Sequence, residues 1–165
     1  MQTYSAIQAT TQKRVAEAME LIGCKIEPNP DGPNTLFTYG GDYYLASPSD
    51  GLTYLCVVFP GVSKVADFSS LAAANEAIHK LNARVKLARV WIDDGQIHAA
   101  SETMLDGGMQ LDQVLKQLLK TLQKIALETR VSQRLSSPRL SSPQNAQLEL
   151  DNLKNTAPLD VVSLH

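Results

Sequence analysis

The chain of 165 residues holds only two cysteines, three histidines and one tryptophan. Two thiols, Cys24 and Cys56, cannot build a dense disulfide framework, so a reducing cytoplasm is the expected setting. His79, His98 and His165 are scattered. No Cys-x-x-Cys, His-x-x-x-His or His-Glu-x-x-His spacing exists, so neither a metal site nor a cofactor is expected. Charge of one sign is lacking too: 15 Lys plus Arg face 17 Asp plus Glu, a net charge of −2. That balance argues against a nucleic-acid partner, which usually selects a basic excess. No apolar run approaches the ~20 residues that span a bilayer, so no membrane partner is expected. Met1 to Arg14 shows no basic start leading into an apolar stretch, which speaks against a secretory signal. Aromatics make up 5% of the chain, but hydrophobic residues reach 44% and charged residues 19%. This is the composition of one ordinary globular domain.

Periodicity locates the elements. Val15, Ala18, Met19 and Ile22 fall at i, i+3, i+4 and i+7, a helical face, with Thr10 or Thr11 as cap and Gly23 closing the C-terminus. Pro28, Pro30, Gly32 and Pro33 break any helix after Gly23. Asn34–Tyr39 and Tyr43–Ala46 are β-rich runs joined by Gly40-Gly41-Asp42, the pattern of a tight hairpin. After a second turn at 47–51, Thr53–Phe59 is apolar on both faces and is predicted to be the central, most buried strand, with Pro60-Gly61 ending the meander. A second helix is expected from Phe68 to Ala83, capped by Asp67 and burying Leu71, Ala74, Ile78, Leu81 and Val85. Lys86–Asp93 and Gln96–Met104 flank Asp94-Gly95, a two-residue hairpin turn. The third helix carries Leu111, Val114, Leu115, Leu118, Leu119, Leu122, Ile125 and Ala126 along one stripe.

After Val131 the character changes. Arg134–Pro138 (RLSSP) is repeated at once as Arg139–Pro143. The segment reads as a Ser/Pro-containing linker and then an apolar arm with Leu148, Leu150, Leu153, Leu159, Val161, Val162 and Leu164. Residues 1–131 are therefore expected to form a single α+β domain, and 132–165 the linker and arm. The order helix, three-strand meander, helix, hairpin, helix implies an antiparallel sheet with helices on one face.

Legible catalytic machinery is lacking as well. Cys24 comes just after a helix C-terminus, where the dipole raises a thiol pKa, and Cys56 reads as a small core hydrophobe. Gly40-Gly41 and Gly107-Gly108 do not fit the strand–loop–helix layout of a phosphate cradle. Asp93 and Asp94 are turn residues, not an acid/base pair. Asn75 and Asn82 lie seven apart on nearly one helix face: they line a pocket or, more simply, tie a neighbouring strand edge.

The stretch Ala73–Leu105 (AANEAIHKLNARVKLARVWIDDGQIHAASETML) resembles the YbjN-type domain. In that family a helix with Asn residues, here Asn75 and Asn82, leads into a strand, a D-G turn, a return strand and a long leucine-rich helix, here Leu111–Ile125. The whole element order resembles the type III secretion chaperone-like fold. The resemblance implies homodimeric, non-catalytic proteins that bind other polypeptides or act as regulators.

Exposed aromatics point the same way. Tyr39, Tyr43 and Tyr44 cluster at the first hairpin, and Trp91 alternates with Arg89 on the second. Tyr, Trp and Arg dominate interface hot spots. The expectation is a cytoplasmic, non-enzymatic protein-interaction domain whose partner is another protein or itself, as a homodimer. Its contact residues would be Tyr43, Arg89 and Trp91, with Leu159, Val161 and Val162 of the arm. The competing expectation is a small-ligand-binding regulator, its pocket between the sheet and the second helix near Asn75 and His79.

Overall fold

A computed structural model describes residues 6–27, 34–49, 52–106 and 108–136. Residues 1–5 and 28–33, Asp50-Gly51, Gly107 and the segment 137–165 with Leu159, Val161 and Val162 lie outside the described residues. Three helices, α1 (Ala6–Leu21), α2 (Leu71–Arg84) and α3 (Leu111–Ser136), accompany six strands. These are β1 (Lys25–Glu27), β2 (Thr35–Tyr39), β3 (Asp42–Pro48), β4 (Tyr54–Lys64), β5 (Ala88–Asp93) and β6 (Gln96–Met104). They form one antiparallel sheet in the order β1-β2-β3-β4-β6-β5.

Local chemistry sets the boundaries. Gly23, at φ +81°, ends α1: its N–H donates to Glu20 O and the Cys24 N–H to Met19 O, the paired bonds of a Schellman motif. Thr10 and Thr11 lie inside α1, not at its start, because the helix begins at Ala6. Asp67 does not cap α2. It accepts from the Lys64 N–H within the 3₁₀ turn Val65–Asp67, and the Ser70 hydroxyl accepts from Ala73 N–H at 3.1 Å as the true cap. Asp94 and Gly95, at φ +45° and +71°, make the two-residue turn that the sequence signals. β1 spans only three residues, too few to show a period, and periodicity does not find it. β4 runs on through Pro60 and Gly61 to Lys64, because a bulge between Phe59 and Ser63 accommodates a proline that cannot donate to the ladder. At its C-terminus α3 takes in Arg134–Ser136 of the first RLSSP repeat.

All three helices pack on the same side of the sheet. Phe37, Tyr44, Phe59, Ala99 and Val90 are register partners across five adjacent strands and all are buried there, beneath Leu115, Leu118, Leu119, Leu122 and Ile125 of α3. Tyr44 stacks on Phe37 with ring centroids 5.5 Å apart and meets Phe59 at 4.7 Å. It is therefore a core residue, not an exposed one, since alternation turns it away from Tyr43. Among the described residues its buried hydroxyl has no hydrogen-bond partner. Tyr44→Phe should consequently leave stability unchanged or raise it by about 1 kcal/mol, because an unsatisfied polar group is removed and the ring stack is kept. Urea denaturation checks this, and a clear loss of stability would contradict it.

Candidate protein-interaction surface

β4 is central, but it is buried on one face only. Leu55, Val57 and Phe59 point under the helices, whereas Tyr54, Cys56 and Val58 point to the opposite side and stay half-buried. Cys56 is accordingly not a core residue. On this open side the register aligns Leu36, Leu45, Val58, Ala100 and Arg89 in one row across β2, β3, β4, β6 and β5. A second row carries Thr38, Tyr43, His98 and Trp91. No described helix lies over either row.

The β5–β6 half of this face is a compact aromatic–cationic cluster. Trp91 stacks on His98, its cross-strand partner, with centroids 5.5 Å apart and planes inclined by 24°. The Arg89 guanidinium carbon sits 5.6 Å from the Trp91 ring centroid, within cation–π range. The Gly61 N–H in the β4 bulge donates to His98 Nδ1 at 3.2 Å, which fixes the imidazole orientation with Nδ1 as acceptor. Beyond the central row, the Tyr54 hydroxyl donates to the Glu102 carboxylate, which raises the phenol pKa. Glu102 is also the cross-strand partner of Cys56. Burial pushes the Cys56 thiol up, reinforced by the charge of Glu102 and opposed by Arg89. Such a thiol stays protonated near neutral pH and is a poor nucleophile.

Arg89 and Trp91 are thus brought together. Tyr43, 61% exposed, shares their face but stands three strand spacings away, about 14 Å at ~4.8 Å per spacing. The sequence reading missed His98, although the two-residue turn at 94–95 fixes Trp91 opposite it. Tyr54 and Glu102 were missed as well. Their pairing depends on β6 lying beside β4, and no local signal carries that.

Asn82 settles its own alternative. Its Nδ2 donates to Val90 O at 2.9 Å and its Oδ1 accepts from Val90 N–H at 2.8 Å, so the amide occupies the outer edge of β5. Asn75 and His79 lie exposed on the outer side of α2, where Ala74, Ala77 and Leu81 take the buried stripe, so the two do not line a pocket against the sheet. Asn82→Ala removes two hydrogen bonds and should cost about 1–2 kcal/mol. The check is a chemical melt together with amide exchange at Val90, which should accelerate while Ala99 stays protected.

Burial raises the Cys24 thiol from 9.0 to about 11. The direction agrees with the helix-dipole argument, but the cause is desolvation. Among the described residues, no group of three or more His, Cys, Asp or Glu side chains is placed to hold a metal ion, and no helix is long and apolar enough to cross a membrane.

No known family model matches the chain, and no curated protein matches it in sequence. Among solved structures the fold is similar to the crystal structure of YbjN from E. coli, a protein proposed as a transcription regulator. The TM-score is 0.55 at 12% identity, over 72% of this chain and 90% of that chain. The chain has a YbjN-type fold.

Proposed function

We propose that this chain is a cytoplasmic, non-enzymatic protein-interaction domain that acts in a chaperone-like or regulatory way by holding other polypeptides, and that it pairs with a second copy of itself. One observation carries the reading: among the described residues, helices cover the sheet on one side only. The other side presents a half-buried apolar row, with Trp91, Arg89 and His98 at the β5 end of the sheet and Tyr43 on the interior strand β3. Large, rigid aromatic surface beside a guanidinium is the composition of interface hot spots. The regulatory role proposed for YbjN is compatible with contact between proteins, and the net charge of −2 gives no electrostatic footprint for nucleic acid.

Strand addition is the less favoured mode. Asn82 already occupies the N–H and C=O of Val90 at the β5 edge. At the other edge β1 offers three residues, Lys25–Glu27, two of them charged. Face packing is therefore the primary mode, as in sheet-on-sheet contacts, with Leu159, Val161 and Val162 of the arm as additional apolar contributors.

Sedimentation equilibrium of the full chain tests the reading. The expected mass is twice the 18.0 kDa of the chain, and Tyr43→Glu should shift it towards a single copy. A monomer at every concentration up to about 1 mM would overturn self-pairing.

A further inference from the structure

Where β4 begins and β6 ends, on the helix-covered side, lies a pocket of about 260 Å³ that the interaction surface does not use. Its lining is Leu52, Thr53, Leu105, Met109 and Leu111 with two side chains of opposite charge, Arg14 from α1 and Asp106 from the β6–α3 connection. Among the described residues, Arg14 and Asp106 form no ion pair with each other or with any other residue. One Asp106 carboxylate oxygen accepts from the Gly108 N–H at 3.0 Å, which orients the group; among the described residues the second oxygen accepts from no protein donor.

Two further observations mark the pocket. Leu52 has φ +55°, a left-handed conformation that costs a leucine of order 1 kcal/mol, and strain of this kind collects at ligand sites. The wall is held in that shape by Leu52 N–H to Ser49 O at 3.1 Å and Leu105 N–H to Thr53 O at 2.9 Å. Met109 leaves 48% of its surface exposed, an apolar and adaptable side chain where a ligand would cover it.

We infer that this pocket binds a small zwitterion with an apolar side chain, a free α-amino acid of the leucine or methionine type. Arg14 pairs with the carboxylate, the second oxygen of Asp106 takes the ammonium, and Leu52, Leu105, Met109 and Leu111 surround the side chain. A pocket below the ~300–1,000 Å³ of drug-sized ligand sites fits a single amino acid and excludes a nucleotide. The two charged groups impose the selectivity, because a ligand lacking either charge forgoes one of the two charge-assisted hydrogen bonds.

Calorimetric titration of the full chain with L-leucine and L-methionine, with N-acetyl-L-leucine and L-leucinamide as probes lacking one charge, tests this. Saturable binding of the free amino acids is expected, weakened tenfold or more for each blocked form. Arg14→Gln should weaken leucine by tenfold or more but leave leucinamide, which has no carboxylate to lose, as in the unmodified protein. Asp106→Asn should do the converse, sparing N-acetyl-leucine. Both residues are exposed, and the unchanged melting temperature of each variant verifies its fold. Absence of saturable binding by either amino acid up to about 10 mM overturns the inference. So does binding that both variants leave intact, or blocked forms that bind as well as leucine.

Discussion

Trp91→Ala should weaken self-association about 30-fold or more, the ~2 kcal/mol or greater loss of a hot-spot aromatic, while the domain stays folded. The two effects separate because of where the ring sits. Val90 anchors β5 in the core, whereas Trp91 points to the open side and stacks there with His98 and Arg89. Removing it forfeits one cross-strand pair and one cation–π contact, about 1 kcal/mol of fold stability. Yet it takes away the largest rigid surface on that face. Arg89→Ala should act in the same direction and more weakly, and the double variant should be less than additive because the two side chains touch. Sedimentation velocity across a dilution series, paired with thermal melts, reads both quantities. An unchanged dissociation constant would remove Trp91 from the contact surface.

The second large effect is an alkaline loss of stability. Cys24 is buried with its thiol raised from 9.0 to about 11, and burial raises Tyr44 as well. Both groups are neutral when protonated, so the folded state retains protons that the unfolded chain releases. The contribution is fully present below about pH 9 and is lost as pH climbs through the folded-state values, with Cys24 alone worth about 2–3 kcal/mol by pH 11. Urea midpoints should therefore hold steady up to about pH 9 and then fall steeply. Cys24→Ala should flatten the part of the slope between about pH 9 and 11, and Tyr44→Phe the part above about pH 10. A profile that both variants leave unchanged would place the titrating groups elsewhere.

Much of the fold was legible because its signals are local. The Gly23 cap, the Gly40-Gly41 and Asp94-Gly95 turns and the leucine stripe of α3 each depend on residues close in sequence, and each stands where expected. What failed was long-range or ambiguous. Thr53–Phe59 is apolar on both faces, which reads as burial on both sides, but Val58 and Cys56 lie half-buried on the side that no described helix covers. Alternation shows that Tyr43 and Tyr44 point opposite ways without saying which faces the helices. That choice was made by Phe37 and Phe59, neighbours brought in by register. Arg89 and Trp91 were recognisable as a pair on one strand face, but the Tyr54–Glu102 contact depends on β6 lying beside β4 in the strand order.

Because Trp91 is the sole tryptophan, its fluorescence reports on the open face alone. Iodide quenching of the full chain, tracked as concentration rises through the association range, is the most direct test of that face as the contact surface. Accessibility of Trp91 should fall in step with the rise in mass from one copy to two, and Tyr43→Glu should keep it high throughout. A protein that doubles its mass while Trp91 remains equally open to iodide would show that the copies meet elsewhere and would contradict the central claim.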